Sequence, residues 1–358
     1  NDQSHSTAVS GIILAAHNGT DGVGIAPQSR WIPDSGMNTD FSLPTRNLAR
    51  VINNSWGSSG RRDLLTPSPT DLQNWRNAWL PAATHPAISQ LVNSAGNGRN
   101  RQGFAQWQNT NTRTFNPFRQ VISVAAAQRN GDIEPYSTPG ACVLVAAPVN
   151  SNLGYNTLTS DVSDQSASVN DDRGYNNGNL TPGFNGTSAA APMVSGVVAL
   201  MLEANPSLTR RDLQHILIRT AQKNRLRDSD SNGSLDAVVA GGTTELRNSF
   251  IAGANTDGLP AQDPYNTGWF RNGAGHWVSD SFGFGIVDAG AAVTMAQTWT
   301  PVSEELHLTS NTILSGTPTS VPAGALGGLT SLSRLGEWSF ASDLHVEWVE
   351  VSLDLNVS

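Results

Sequence analysis

Three short runs constrain the fold most. Residues 90–95, 121–126 and 142–147 are mostly apolar, rich in β-branched side chains, and lack the polar–apolar alternation of a half-exposed strand. Such runs predict strands buried on both faces, which is the habit of parallel sheets. Helical patterns lie around them. Residues 189–203 read as an apolar helix with Pro192 in its first turn, where a missing N–H costs nothing. Ser207 opens a second helix that runs to about Gln222. Residues 8–14 read as the start of a buried helix, 18–22 as a turn, and 50–54 as a short strand ending at Ser55-Trp56-Gly57. Residues 151–184 read as a polar surface excursion. The sum is an α/β fold, a parallel sheet with helices on both faces.

Near Trp299 the texture changes to period two, as in His345-Val-Glu-Trp-Val-Glu-Val-Ser-Leu-Asp. A boundary near 300 predicts two domains, 1–300 and 301–358. About 58 residues are too few for a complete sandwich of eight strands of roughly five or six residues each. The second domain is therefore expected to be the start of an all-β sandwich, cut short at Ser358.

Composition removes several functions. The net charge is −8 with 14% charged residues, which argues against a nucleic-acid partner. Cys142 is the only cysteine, so no internal disulfide or Cys-rich zinc site forms. No apolar run approaches the roughly 18 residues of a membrane span. The chain opens at Asn1 without methionine, so we expect a removed leader or an excerpt of a longer protein. A single lysine, Lys223, together with abundant Asn and Ser, fits an extracytoplasmic style.

Chemistry concentrates in Asn185-Gly186-Thr187-Ser188-Ala189-Ala190-Ala191-Pro192. Small residues hold one hydroxyl at the mouth of an apolar helix, where the positive dipole end favours a developing oxyanion. An N-cap serine is the plainer alternative. A serine nucleophile needs a base. Of seven histidines, His5 stands out because Ser4-His5-Ser6-Thr7 leads into a buried helical run. A separate loop, Asp228-Ser-Asp230-Ser-Asn232-Gly233-Ser234-Leu-Asp236, places oxygens at positions 1, 3, 5, 7 and 9 around a glycine at position 6. This matches an EF-hand-type calcium loop, although Val239 stands where the final glutamate belongs; a polar surface turn is the alternative.

These residues resemble the subtilisin-like serine proteases (subtilases), in particular the kexin/furin-like branch. The serine motif Gly-Thr-Ser-Ala-x-x-Pro is complete at Gly186 to Pro192, and the histidine motif appears as His5-Ser6-Thr7 after Asn1-Asp2, with Ser6 replacing the usual glycine. Leu202 to Pro206, Arg211 to His215 and Ser281 to Gly290 also look kexin-like, so the resemblance covers about 1–300. It implies a secreted endopeptidase acting on proteins or peptides as a monomer, with its own propeptide as a possible partner. It implies Ser188 as nucleophile, His5 as base, and Asn97 of Ser94-Ala95-Gly96-Asn97-Gly98 as oxyanion donor beside the Ser188 N–H. Ser55-Trp56-Gly57 and Ser94-Ala95-Gly96 would wall the substrate cleft, Trp56 being otherwise a buried aromatic. The aspartate that orients His5 is expected upstream of Asn1, and residues 1–358 alone are expected to be nearly inactive. The resemblance also implies structural Ca²⁺ held by the Asn18 side chain and the Thr20 and Gly22 carbonyls. The tail would begin the P domain of that branch. A non-catalytic peptide-binding homologue and a calcium-dependent adhesion module are the competing functions.

The kexin branch gathers acids around its first pocket to hold basic side chains. Here only Asp63 follows Ser55-Trp56-Gly57 closely, and Arg113 and Arg119 precede Val121. Two arginines near the rim predict that cleavage is not confined to paired basic residues, with Asp132 or Glu134 as the acids left to serve a single one.

Overall fold

β1 (Val51–Asn54), β2 (Gln90–Ser94), β3 (Val121–Gln128) and β4 (Val143–Asn150) form one parallel sheet in the order β1-β2-β3-β4. They appear in a computed structural model that describes residues 2–32, 49–57, 90–99, 108–113, 115–129, 131–150, 157–162, 174–175, 178–223 and 269–303. In β3, Ile122, Val124 and Ala126 enter one core cluster while Ala125 and Ala127 enter a second. Successive side chains point to opposite faces, so an apolar run with no alternation is what two buried faces require.

Helices α1 (Asp2–Leu14), α2 (Thr187–Ala204), α3 (Arg210–Thr220) and α4 (Ala289–Gln297) all contribute to the larger cluster. α2 packs on all four strands and on α1 and α4. The second cluster is closed differently. Trp269 stacks on Phe282 at 5.8 Å, and Ile133 and Ile286 join them beside the hairpin of β7 (Phe270–Arg271) and β8 (Trp277–Val278). Helices on both faces were expected; among the described residues the second cluster holds aromatic side chains from irregular segments.

Several boundaries differ from expectation for identifiable reasons. Residues 8–14 are the second half of α1, not its start. The stretch 151–184 contains an antiparallel pair, β5 (Thr157–Ser160) and β6 (Leu180–Phe184), whose Thr159, Thr181 and Phe184 turn inward. α1 lies against β5 so closely that a Cβ on Gly11 would stand 2.5 Å from Thr159 Oγ1. The Thr159 hydroxyl donates to the Ala8 carbonyl at 2.6 Å. α3 starts at Arg210 behind a full capping box of Thr209 and Asp212 and ends at Thr220.

α2 begins two residues earlier than the sequence suggested, because its N-cap is Gly186, at φ 82°. A left-handed glycine caps without any of the side chains that announce a cap. Pro192 thus sits in the second turn, where its missing N–H leaves the Ser188 carbonyl without a helical donor. The Ser55 hydroxyl donates to that carbonyl at 3.0 Å instead. α2 is longer as an apolar helix than the sequence suggested. It has 18 residues and mean hydropathy 1.4, enough to span by length and composition, yet two thirds of it is buried against the sheet. Thr, Ser and Gly interrupt the run and hid its length.

The chain divides into two units, Asn1–Val302 and Ser303–Ser358. The period-two tail, and the expected P-domain-like sandwich with it, lie outside the described residues.

Candidate active site

The first turn of α2 carries Ser188 as its second residue. At that position no preceding carbonyl within the helix can accept its N–H. Gly186 holds the cap position with no side-chain hydrogen bond, so Ser188 is not the capping serine of the plainer alternative. The Gly186 N–H donates to the Tyr136 hydroxyl at 3.0 Å. Burial, and secondarily Glu134 nearby, push the Tyr136 phenol far above its ordinary range, so it stays protonated.

Asn97 follows β2 at the mouth of the same helix. Its Oδ1 accepts from the Thr187 N–H and from the Thr187 hydroxyl, both at 2.9 Å. The Gly96 N–H donates to Thr187 Oγ1 at 3.1 Å, which leaves that hydroxyl to act as donor toward Asn97. The amide is therefore oriented without ambiguity: an acceptor faces Thr187 and Nδ2 remains to donate outward. Thr187 belonged to the motif read from the sequence, but its role as the residue that turns Asn97 was not visible there.

Ser55, Trp56, Gly57, Ser94, Gly96, Asn97, Thr187 and Ser188 line one pocket of about 220 Å³, together with Gly98, Gln108 and Arg113. The Ser188 hydroxyl donates to the Ser55 carbonyl at 3.0 Å, the reciprocal of the Ser55 bond described above. Ser55 is held in turn by the Asn53 amide at 2.9 Å, and Asn53 by the Ser195 hydroxyl at 2.9 Å. Trp56 serves both of its readings. It lines the pocket and also packs edge-on against Phe115 at 6.0 Å. Ala95 is fully buried beneath the pocket, its N–H given to Val124 and its carbonyl to Thr110. Gly96 likewise has both main-chain groups engaged, the carbonyl by the Thr138 N–H at 2.9 Å. Among the described residues the main chain of Trp56 and Gly57 carries no such bonds.

His5 is half-buried on α1, its ring edge-on to Phe184 at 5.5 Å. Phe184 ends β6 four residues before Ser188, and it also meets Tyr175 at 5.7 Å. The aromatic platform that positions the imidazole thus leads directly into the serine motif. The exposed Ser6 carbonyl accepts from Ser10, so a serine after His5 fits on the solvent side of α1. Cys142 is no competing nucleophile, because burial pushes its thiol up to about 12.

A model of the subtilase family matches residues 1–285. The chain belongs to the subtilase family. This family is one of serine proteases, and the matches run to its furin- and kexin-like convertases. The subtilase is 29% identical over 344 residues to neuroendocrine convertase 2 of Caenorhabditis elegans, covering 89% of this chain and 45% of that protein. It is 25% identical over 331 residues to furin of Bos taurus, covering 86% and 33%. It is 26% identical over 400 residues to the Aeromonas extracellular serine protease of Aeromonas sobria, covering 99% and 60%. The crystal structure of the serine protease of Aeromonas sobria shares the fold with a TM-score of 0.63 at 24% identity, over 84% of this chain and 54% of that one. The chain spans less than two thirds of the length of these relatives.

The calcium expectations divide. Asn18, Thr20 and Gly22 of the subtilase line a second pocket beside Gly11 and Ser160. Asn18 Oδ1 is engaged by the Thr20 N–H at 3.1 Å and the Thr20 hydroxyl at 3.0 Å. Among the described residues no three His, Cys, Asp or Glu side chains form a metal cluster. The lining offers oxygen donors with one nearby carboxylate, Asp21, which are hard donors of the kind Ca²⁺ takes and zinc does not, but Asn18 Oδ1 would have to release a Thr20 donor to bind a cation. The loop of Asp228, Asp230, Asn232, Ser234 and Asp236 lies outside the described residues.

Proposed function

We propose that the protein is a serine endopeptidase in which Ser188 attacks the scissile carbonyl, His5 takes its proton and returns it to the leaving amine, and an aspartate N-terminal to Asn1 orients His5. What supports this reading is the oriented Asn97 amide: Thr187 holds its Oδ1 and leaves Nδ2 to donate, and Asn97 lines the pocket that Ser188 shares. A tetrahedral oxyanion held by Asn97 Nδ2 and the Ser188 N–H would gain from donors already in place and from the N-terminus of an 18-residue helix. To react, the Ser188 hydroxyl would leave the Ser55 carbonyl and donate to the imidazole instead. An extended substrate would pair with the open main chain of Trp56 and Gly57.

The same reading includes Ca²⁺ at the loop of Asn18, Thr20 and Gly22 and at residues 228–236, where it would act structurally. It includes secretion, in keeping with the extracellular Aeromonas relative, and a P-domain-like tail. A maturation partner also belongs to it. The Aeromonas sobria protease has been crystallised with a chaperone, and a propeptide or chaperone is the kind of partner this reading includes. The test is labelling by a fluorophosphonate reagent of the protein expressed from its complete reading frame. Labelling of wild type at Ser188, lost in Ser188→Ala together with peptide hydrolysis, is expected. A folded, unlabelled wild type would instead make the protein a peptide-binding homologue.

A further inference from the structure

We propose that Arg113 determines specificity, and that the cleft accepts an acidic side chain, glutamate or aspartate, on the acyl side of the bond that Ser188 cuts. The proposal rests on the reading of Ser188 as nucleophile.

Arg113 is aimed by a pinned turn. The 3₁₀ turn Thr110–Thr112 is capped by the Asn109 side chain. Its Thr110 N–H donates to the Pro139 carbonyl at 2.8 Å. The Thr110 hydroxyl shares its proton between the Ala95 carbonyl at 3.0 Å and the Thr138 carbonyl at 2.8 Å. Arg113 leaves this turn in an extended conformation, at φ −82° and ψ 154°. Its guanidinium then lies between Gly57 and Gly96. A Cβ on Gly57 would stand 3.1 Å from Arg113 Cζ, and one on Gly96 would stand 2.9 Å from it. A side chain at either position would push the guanidinium from where it lies. These glycines close the two segments that wall the cleft, and the pocket between them also carries Ser188 and Asn97. Any side chain entering beside the reacting bond meets this guanidinium.

Arg113 is 9% exposed and is the one charged residue among the described residues that line the pocket. A cation with little water around it attracts a carboxylate strongly and repels an ammonium or second guanidinium. The guanidinium offers five donors, of which a carboxylate takes two side by side. Asp280 and Arg113 act in opposite senses on the Cys142 thiol, the carboxylate raising its pKa and the guanidinium lowering it, and only Arg113 lines the pocket. Asp132 and Glu134, the acids that could have served a basic side chain, are 7% and 3% exposed and lie outside the lining. Arg119, expected at the rim, instead sits near Arg210 and gives its carbonyl to Gln214. The local charge is thus opposite in sign to what the kexin resemblance implies.

The test uses protein expressed from its complete reading frame. Two peptides, Ala-Ala-Pro-Glu-Ala and Ala-Ala-Pro-Arg-Ala, are titrated into the Ser188→Ala protein. The glutamyl peptide should bind about tenfold tighter or better, with the advantage shrinking as salt rises. Arg113→Gln should erase the preference and Arg113→Lys should keep much of it, with melting curves confirming that both fold. Equal affinities, or tighter binding of the arginyl peptide, would overturn the proposal. In parallel, wild type is profiled on a peptide library. Cleavage after Glu and Asp, lost in Arg113→Gln, supports the proposal. Cleavage confined to Arg and Lys, or to Gly, Ala and Ser, overturns it, the latter by making Arg113 a plug. A glutamyl preference in binding with no bond cut by wild type leaves Arg113 as assigned and removes Ser188 as nucleophile.

Discussion

α2 and α3 begin in opposite ways. α3 opens on a complete capping box, with the Thr209 hydroxyl accepting from the Asp212 N–H at 3.2 Å and the Asp212 carboxylate accepting from the Thr209 N–H at 2.7 Å. α2 opens on a glycine with no side-chain cap. Capping is worth about 1 kcal/mol, so the longer and more deeply buried helix forgoes a stabilisation that the shorter one takes. The difference follows use. A cap at α2 would occupy N–H groups that the proposed reaction needs, whereas α3 only needs to stay folded. Apolar packing of Ala189, Ala190, Ala191 and Val194, all fully buried, carries α2 without a cap.

Breaking the α2 side should cost catalysis and spare the fold. In the protein from the complete reading frame, Asn97→Ala should lose about 10²–10³ in kcat with little change in KM, measured on a peptide substrate. An unchanged kcat would detach the amide from the oxyanion. Thr187→Val keeps the N–H that holds Asn97 but loses the hydroxyl. We expect a fall in kcat of about tenfold, recovered in Thr187→Ser, because one of two orienting bonds remains. A fall in KM instead, or no rescue by serine, would show that Thr187 acts by packing.

Breaking the α3 side should do the reverse. Asp212 is fully buried and also accepts from Trp299 Nε1 and the Val302 N–H, each at 2.8 Å. Burial alone would raise its pKa, but the hydrogen bonds from Thr209, Val302 and Trp299 outweigh it and hold the carboxyl below the usual range. Asp212→Ala should lower stability by about 1–2 kcal/mol in denaturant melts while kcat stays near wild type. The sign with pH is fixed. A depressed carboxyl stabilises fully above the ordinary aspartate pKa of about 4, and loses that contribution as pH falls through its lower folded value. The gap between wild type and Asp212→Asn should therefore narrow in acid; a gap that widens there would contradict the assignment. The smallest effect is expected at the proposed calcium loop. Calcium at ten times its Kd should stabilise wild type by about 1.4 kcal/mol, and Asn18→Ala should respond less. Identical calcium shifts in the two proteins would remove Asn18 from the site.

The contrast also explains what was readable in the sequence. Strands β2, β3 and β4 were legible because burial on two faces leaves an uninterrupted apolar signature. That a capped helix begins near Ser207 was legible because Ser, Thr and Asp announce a cap, but two candidate caps lie two residues apart and the structure uses Thr209. The start of α2 was misplaced because Gly186 works through a backbone angle that no side chain advertises. Ser188, Asn97 and Ser55 could be read as members of one site only through resemblance, since 133 residues separate Ser55 from Ser188. Arg113 could be seen as a cation before Val121, but its place between Gly57 and Gly96 depends on a turn anchored to Ala95, Thr138 and Pro139. Such an anchorage leaves no periodic trace. Phe184 was hidden inside a stretch read as polar.

The proline of α2 has a mechanical consequence. By giving up one rung of the helix, Pro192 frees the Ser188 carbonyl for the Ser55 hydroxyl, while the Ser188 hydroxyl returns to the Ser55 carbonyl. Two residues from distant parts of the chain are thus latched twice, hydroxyl to carbonyl in each direction. When the Ser188 hydroxyl turns away to react, the bond from the Ser55 hydroxyl to the Ser188 carbonyl can stay, so the wall that would grip a substrate remains tied to the residue that would attack it.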